Sequence, residues 1–185
     1  IECIKQIQKS ELNLEIIILD NNSSDGTKIK LKKLEAEGLF NNITFVFNNS
    51  NLGKGGSIKE ACKIAKGKYC CVYDIDEYFV KDLLNGINLV ESKSLDLLVG
   101  SRINEKSHFI YKSNYYGVRF LTTLINLFFN VNLTDAAGCI KIFDKHKYSQ
   151  IFIKTSGFDF EFELICKFAK KKFSVGEFYT AYTPR

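Results

Sequence analysis

The sequence lacks the patterns that mark several common classes of protein. Its six cysteines form no C-x-x-C pair, and its two histidines have no partners at metal-ligand spacing. We therefore predict neither a zinc site nor a disulfide framework, and we expect free thiols in a reducing compartment. The phosphate-binding pattern G-x-x-x-x-G-K-[ST] is also absent, which excludes that class of nucleotide site.

Long apolar runs are missing too. No stretch of eighteen uninterrupted apolar residues occurs, so the sequence indicates no membrane-spanning helix, and no signal peptide is visible. The nearest approach is 120–133, which contains two threonines and three asparagines. The wider stretch 115–129 fits either a core helix or a helix that rests on a membrane surface and admits a lipid tail.

The chain does carry enough apolar residues to form one core. Of its 185 residues, 45% are hydrophobic and 25% are charged, which predicts a single globular domain. The net charge is +5, and the lysines are spread along the chain. They favour anions such as phosphates or acidic lipid head groups, or they only keep the surface soluble. Binding of nucleic acid is not indicated.

Strand and helix patterns alternate along the chain. Nearly continuous apolar runs predict buried strands, and each run is followed by a polar turn and an amphipathic helix. This order predicts an α/β domain with an open, largely parallel sheet and helices on both faces, whose ligands bind beyond the carboxyl ends of the strands. Asp25 is expected to cap the helix that begins near Thr27. The predicted strands are 14–20, 43–48, 69–76 and 95–100, and the predicted helices are 1–10, 27–37, 57–66 and 81–92.

Two aspartates separated by one residue end the strand in the stretch Y-C-C-V-Y-D-I-D. On an extended chain, residues two apart point the same way, so the carboxylates of Asp74 and Asp76 can converge on one point. Mg²⁺ and Mn²⁺ prefer oxygen ligands, and Mg²⁺ is usually held by one or two carboxylates together with substrate phosphates. The pair therefore predicts a divalent cation and a nucleotide diphosphate, although an acidic turn alone would give the same triplet.

Several segments, in order and at matching spacing, resemble those of family 2 glycosyltransferases. L-D-N-N-S-S-D-G-T is similar to the V-D-D-x-S-x-D-G-T segment of that family, and the stretch from N-L-G-K-G-G to D-I-D is similar to its glycine loop and D-x-D segment. D-A-A-G-C-I-K-I-F and the carboxyl-terminal stretch resemble enzymes that load sugars onto polyprenyl or dolichyl phosphate. The resemblance covers nearly the whole chain, leans toward dolichyl-phosphate glucosyltransferases and mannosyltransferases, and implies a GT-A fold.

The resemblance also implies a donor site. Asp20 would accept a hydrogen bond from the nucleotide base or ribose, and Asn21 stands beside it where the family usually has a second aspartate. Lys54 would line the donor pocket, while Asp74 and Asp76 would hold the metal that neutralises the departing phosphate. From the residues alone, Asp20 also fits a turn-forming aspartate, and the glycines around Lys54 also fit a flexible turn.

For the acceptor, the resemblance implies a group of cationic and polar side chains that gathers a lipid phosphate: Arg102, Arg119, Thr123 and Arg185. The planar fork of an arginine suits phosphate oxygens, although each of the arginines also fits an ordinary surface salt bridge. A phosphate acceptor needs no strong base. If the acceptor is instead a hydroxyl group, Asp135 is the candidate catalytic base.

We therefore predict a metal-dependent enzyme that transfers a hexose, glucose or mannose, from a nucleotide diphosphate sugar to polyprenyl or dolichyl phosphate at the cytoplasmic face of a membrane. Two alternatives stay open, namely a family 2 enzyme that acts on a glycan hydroxyl in cell-surface polysaccharide synthesis, and a non-catalytic relic that binds nucleotide sugars. The family's usual first strand and its membrane-associated carboxyl-terminal segment are not in the sequence, so we expect a fragment.

Overall fold

The computed structural model of the chain describes residues 2–10, 12–38, 42–74, 80–103, 111–138 and 140–181. They form two compact units. The large unit comprises Ile1–Ser10, Lys68–Ile153 and Glu161–Arg185, and the small unit comprises Glu11–Gly67 and Lys154–Phe160. The single domain predicted from the length stays a prediction.

The order of the helices and strands confirms the predicted alternation. In chain order they are α1 (Glu2–Gln8), β1 (Ile16–Asp20), α2 (Thr27–Glu37), β2 (Ile43–Phe47), α3 (Gly53–Ile64), β3 (Tyr69–Val72), α4 (Val80–Ser92), β4 (Leu97–Ser101), α5 (Lys112–Phe129), β5 (Lys141–Asp144), α6 (Lys145–Ser149), α7 (Phe160–Lys170) and β6 (Val175–Tyr179).

The small unit is built on a parallel pair of strands. β1 and β2 pair along their whole length, with Asp20 opposite Phe47 at their carboxyl ends. Helix α2 begins after Gly26, whose φ of 87° a glycine adopts without steric cost. The N-cap residue is Gly26 and not Asp25 as expected, but Oδ1 of Asp25, which precedes it, accepts a hydrogen bond from the backbone N–H of Thr27 at 3.0 Å. Hydrogen bonds from Thr27 also lower the pKa of the Asp25 carboxyl group.

Helix α3 begins at Gly53, four residues before its predicted start at 57. Its first turn is bonded to a later segment of the small unit. The backbone N–H of Gly55 donates to the carbonyl oxygen of Gly157 at 3.2 Å, and that of Gly56 donates to the carbonyl oxygen of Ser156 at 3.0 Å. These bonds satisfy N–H groups that have no partner within a helix. The glycine loop of the prediction is therefore helical.

The large unit contains a four-stranded sheet in the order β3-β5-β4-β6. β4 and β6 are parallel, whereas β5 runs antiparallel to both β3 and β4. Three of these strands therefore share one direction, as predicted, and β5 is inserted against them. β5 itself was missed, because its four residues are too few to show a periodic pattern.

The core of the large unit lies around β4 and β5. Leu97, Leu98 and Val99 of β4 are completely buried, as are Ile142 and Phe143 of β5. Helix α4 packs against both strands through its apolar face. This burial on both faces explains why the β4 sequence is a continuous apolar run.

Helix α5 is longer than the apolar stretch from which it was predicted. It runs from Lys112 to Phe129 and ends at Asn130, whose φ of 52° terminates the helix. It buries Thr122 and Ile125 on one side. Large apolar side chains are exposed on the other side, at Tyr116, Phe120, Leu121, Leu127 and Phe128. Among the residues that the structure describes, no helix is long and apolar enough to cross a membrane.

Candidate active site

Asparagine side chains form a network just beyond the carboxyl ends of β1 and β2. The Nδ2 of Asn21 donates to Oδ1 of Asn51 at 2.7 Å. The Oδ1 of Asn21 accepts from Nδ2 of Asn48 at 3.2 Å and from the backbone N–H of Leu52 at 2.9 Å. A carboxylate at this position would accept these bonds but would have no N–H group to donate. Asn21, which stands where the family usually has an aspartate, therefore fits this network because its side chain both donates and accepts hydrogen bonds.

Asp20, the last residue of β1, is only 2% exposed. Its Oδ2 accepts a hydrogen bond from the backbone N–H of Ser23 at 3.2 Å, which is the turn-forming contact that the sequence also allowed. Its Oδ1 is buried and has no hydrogen-bond partner within the described part of the chain. Because a buried polar atom without a partner is costly, this oxygen is a candidate acceptor for a ligand.

Lys54 lies in the first turn of α3 and is partly buried. Its ammonium group is 5.8 Å from the centre of the Phe158 ring, a cation–π distance. The neighbouring Gly55 is in close contact with the chain itself, since a Cβ atom there would lie 2.6 Å from Cβ of Phe160. Packing within the small unit thus accounts for this glycine, and a role for Lys54 in donor binding stays a prediction.

The predicted metal pair is described only in part. Asp74 is partly buried and follows β3 by two residues, whereas Asp76, like Arg185, lies outside the described residues. Burial raises the pKa of the preceding Tyr73 to about 12. Within the described ranges, no group of three or more histidine, cysteine, aspartate or glutamate side chains could hold a metal ion. The two carboxylates of the D-x-D triplet still fit an oxygen-preferring cation by their chemistry.

Arg102 and Asp135 form a buried, two-pronged ion pair in the large unit. Arg102 directly follows β4, and Asp135 lies in the turn between α5 and β5. The Nε atom of Arg102 donates to Oδ2 of Asp135 at 2.8 Å, and its Nη2 donates to Oδ1 at 3.0 Å. The Asp135 side chain is completely buried and that of Arg102 is 12% exposed. This pair is therefore not the surface salt bridge that the sequence left open.

Both oxygens of Asp135 also accept backbone hydrogen bonds. The N–H of Arg102 donates to Oδ2 and the N–H of Ala137 donates to Oδ1, each at 3.1 Å. The carboxylate thus receives four hydrogen bonds. Asp135 and Arg102 act as one structural unit, and their separate predicted roles as base and phosphate ligand stay predictions.

Arg119 reaches the same turn from α5. Its Nη1 donates to the carbonyl oxygen of Thr134 at 3.2 Å, so both described arginines of the predicted acceptor group contact the 134–135 turn. Thr123 lies one helical turn beyond Arg119 and is exposed. Its hydroxyl group donates to the carbonyl oxygen of Arg119 at 2.8 Å. The structure thus brings Arg102, Arg119 and Asp135 together.

Sequence reasoning missed two charged residues that hold this region. Glu177 of β6 accepts hydrogen bonds from the backbone of the 134–135 turn. Lys141 of β5 is 1% exposed, donates to the carbonyl oxygen of Gly138, and lies 3.4 Å from a carboxylate oxygen of Glu161. The signal in both cases was a single charged residue inside an apolar strand, in V-G-E-F-Y and I-K-I-F.

Comparison with known proteins gives a family match over most of the chain. The model described as "Glycosyl transferase family 2" matches residues 1–152. The low-salt glycan biosynthesis hexosyltransferase of Haloferax volcanii is 22% identical over 191 residues, covering 100% of this chain and 44% of its own length. The dolichyl-phosphate beta-glucosyltransferase of Saccharomyces cerevisiae is 25% identical over 186 residues, covering 88% and 55%. The chain therefore spans about half of the length of these relatives.

Solved structures with a similar fold include glucosyl-3-phosphoglycerate synthase from Mycobacterium tuberculosis in complex with Mn²⁺, uridine diphosphate and phosphoglyceric acid. It matches with a TM-score of 0.72 and 14% identity, covering 100% of this chain and 64% of that protein. At this identity the likeness shows the fold alone. It confirms the GT-A architecture that the motifs implied.

Proposed function

Because the chain belongs to glycosyl transferase family 2, we propose that it transfers a hexose from a nucleotide diphosphate sugar to polyprenyl or dolichyl phosphate. Glucose and mannose are the proposed sugars. Support comes from the similarity to dolichyl-phosphate beta-glucosyltransferases of two organisms, Saccharomyces cerevisiae and Dictyostelium discoideum. The D-A-A-G-C-I-K-I-F segment, which resembles that of lipid-phosphate enzymes, adds further support.

The observation that carries the choice of acceptor is the bonding of Asp135. A sugar hydroxyl needs a base that takes its proton, whereas a phosphate is already ionised near neutral pH. Asp135 is completely buried and receives four hydrogen bonds, two of them from the Arg102 side chain. This arrangement suits an anchor for the cationic groups better than a proton acceptor, and it favours a phosphate acceptor over the alternative glycan hydroxyl.

For the donor, the buried Oδ1 of Asp20 would accept a hydrogen bond from the base or ribose, and Asn21 and Lys54, which belong to the same unit, would complete the proposed donor pocket. Asp74 and Asp76 would hold Mg²⁺ or Mn²⁺, and such a cation would neutralise charge on the departing diphosphate. The Mn²⁺ and uridine diphosphate in the similar mycobacterial structure support a metal of this kind.

The proposed lipid acceptor requires contact with a membrane, and α5 supports one. Its exposed aromatic and aliphatic side chains lie on one face of the helix. Residues 111–134 include two basic residues and no acidic residue, a composition that favours an anionic surface. The proposed location is the cytoplasmic face of a membrane.

The test is a transfer assay with the full-length protein, labelled nucleotide sugars, polyprenyl phosphate in detergent, and Mg²⁺ or Mn²⁺. We expect label in the organic phase that is lost on chelation and in Asp76→Asn. Glu60→Gln, which removes an exposed carboxylate of α3, is the matched control and should keep full activity. Metal-dependent donor binding without lipid labelling would support the glycan hydroxyl instead, and absence of any donor binding would support the relic.

A further inference from the structure

The 134–135 turn is held by a carboxylate from the neighbouring strand. Glu177 lies in β6 opposite Val99 of β4. Its Oε1 accepts from the backbone N–H of Thr134 at 2.8 Å and from that of Asp135 at 3.0 Å. Its Oε2 accepts from the Thr134 hydroxyl group at 2.8 Å and from the Thr134 N–H at 3.0 Å. One side chain thus binds three donors of a turn more than forty residues away in sequence.

We propose that Glu177 is a positioning residue, which fixes the backbone of the 134–135 turn and so presents the Asp135 carboxylate to Arg102. Asp135 is held at two points, its backbone N–H by Glu177 and its carboxylate by Arg102. These bonds hold both the backbone and the carboxylate of Asp135 in one geometry. The inference rests on the proposed function only where it concerns turnover.

A second contact joins the turn to β4, the strand that Arg102 directly follows. The hydroxyl groups of Thr134 and Ser101 are 2.6 Å apart, and Ser101 directly precedes Arg102. Ser101 is completely buried, and its carbonyl oxygen accepts bonds from the backbone N–H and the hydroxyl group of Thr180. The chain of bonds from Glu177 through Thr134 to Ser101 therefore fixes both partners of the ion pair.

The chemistry of the three donors requires a carboxylate. Two backbone N–H groups and one hydroxyl group point at Glu177, and only a side chain without hydrogens can accept from all of them. In Glu177→Gln the side chain keeps its shape, but its NH₂ group faces donors of Thr134. The turn then loses part of its support while the fold of β6 is preserved. Asp96→Asn is the matched control, because Asp96 also accepts a backbone bond, from Ser174 at 2.8 Å, at the other end of β4.

The first experiment needs no turnover. Selective ¹⁵N-arginine labelling of the protein gives Nε–H signals among which Arg102→Lys assigns that of Arg102, one of three arginines in this sequence. We expect Glu177→Gln to shift this signal and to speed its hydrogen exchange by about tenfold or more, the effect of weakening a charged hydrogen bond. Asp96→Asn should leave it unchanged. An unchanged Arg102 signal in folded Glu177→Gln would overturn the proposal.

Two variants of Thr134 keep the test decisive if Glu177→Gln does not fold. Thr134→Val removes the hydroxyl group that binds Glu177 and Ser101 but keeps the shape of the side chain, whereas Thr134→Ser keeps the hydroxyl group. The Arg102 signal should change in the valine variant and be restored in the serine variant. Equal signals in both variants would contradict a role for this network.

The second experiment measures coupling in the transfer assay. Glu177→Gln should lower kcat/KM by about ten- to a hundredfold, the usual cost of a misplaced group. If Glu177 acts through Asp135, the same change made in an Asp135→Asn background should lower kcat/KM by less than about twofold. If the double variant instead loses kcat/KM by the product of the two single losses, Glu177 does not act through Asp135. A wild-type protein without transfer activity would count against the proposed function alone, while the arginine signal would still decide the role of Glu177.

Discussion

At the scale of single residues, the direction of the hydrogen bonds decides which side chain fits a position. Some positions need a side chain that only accepts hydrogen bonds, and others need one that both donates and accepts them. Asn21 needs both capacities, because its amide donates to Asn51 and accepts from Asn48. Asp135 and Glu177 only accept, and all their described partners are donors. The identity of each residue therefore follows from the direction of its hydrogen bonds.

This reasoning predicts the effect of restoring the family's aspartate at position 21. Asn21→Asp loses the bond that Nδ2 donates and brings a carboxylate against the Asn51 oxygen, so we expect a loss of about 1–3 kcal/mol in the free energy of unfolding. Chemical denaturation measures it. Asn51→Asp is the matched control, since Oδ1 of Asn51 only accepts bonds, from Asn21 and from the N–H of Gly53. Equal losses in the two variants would show that charge, and not bond direction, decides the effect.

Lys141 shows a second kind of residue that sequence alone does not explain. It is a charged side chain at the start of β5, and its neighbours Ile140 and Ile142 are completely buried. The structure supplies the reason, because its ammonium group donates to Gly138 and faces Glu161 of α7. Burial of such a charge is tolerated only with partners of this kind.

At the scale of helices and strands, the glycines of α3 carry the clearest prediction. Gly55→Ala should gain helix propensity, worth about 1 kcal/mol, but the new methyl group would lie 2.6 Å from Cβ of Phe160 and 3.1 Å from the Gly157 oxygen. Overpacking of this kind costs about 1–3 kcal/mol, so we expect a net loss of stability in thermal or chemical unfolding.

Gly117→Ala provides the comparison for that prediction. Gly117 is also inside a helix, α5, but no atom lies within 4 Å of a Cβ built there. This variant should gain about 0.5–1 kcal/mol in the free energy of unfolding, the ordinary advantage of alanine over glycine. If Gly55→Ala were equally stabilising, the close packing of the segment 156–160 on α3 would be wrong.

The helices and strands also show where sequence patterns suffice and where they fail. The strand predicted at 43–48 is observed at 43–47 and the helix predicted at 81–92 at 80–92, because apolar periodicity reports directly on burial. The glycine-rich start of α3 predicted a loop, because glycine disfavours a helix unless contacts with another segment stabilise that helix. The partners of these glycines lie about a hundred residues later, at Ser156 and Gly157, where local patterns carry no information.

Across the protein as a whole, motif resemblance singled out residues that the fold brings together, but it did not predict the contacts between them. It predicted Arg102 and Arg119 as phosphate ligands and Asp135 as the base for a hydroxyl acceptor, and in the structure both arginines contact the 134–135 turn. Their roles stay predictions. The resemblance gave no sign that Asp135 would be bound by Arg102 or that Glu177 would hold the turn, since these contacts join strands distant in sequence. Spacing identifies which residues belong to a family motif, and only the fold shows which of them touch.

The exposed face of α5 gives the prediction that concerns the protein as a whole. Phe120 is 64% exposed and Leu127 is 74% exposed, on the side of the helix opposite the buried Thr122 and Ile125. Transfer of such side chains from water into the membrane interface contributes up to about 1.5–3 kcal/mol each, so Phe120→Ser with Leu127→Ser should weaken binding to vesicles of mixed neutral and anionic phospholipid by at least about tenfold.

Ile29→Ser is the control, because Ile29 is 74% exposed but stands on α2, which has no buried residues and presents no comparable apolar face. Co-sedimentation with vesicles tests whether a membrane covers the exposed face of α5. Sedimentation velocity without vesicles tests whether a second copy of the chain covers it. Vesicle binding that only the α5 variant loses would support a membrane-facing helix. A dimer in the absence of lipid that the α5 variant converts to a monomer would instead assign the face to a second copy of the chain, and the proposed approach of a lipid acceptor along α5 would be wrong.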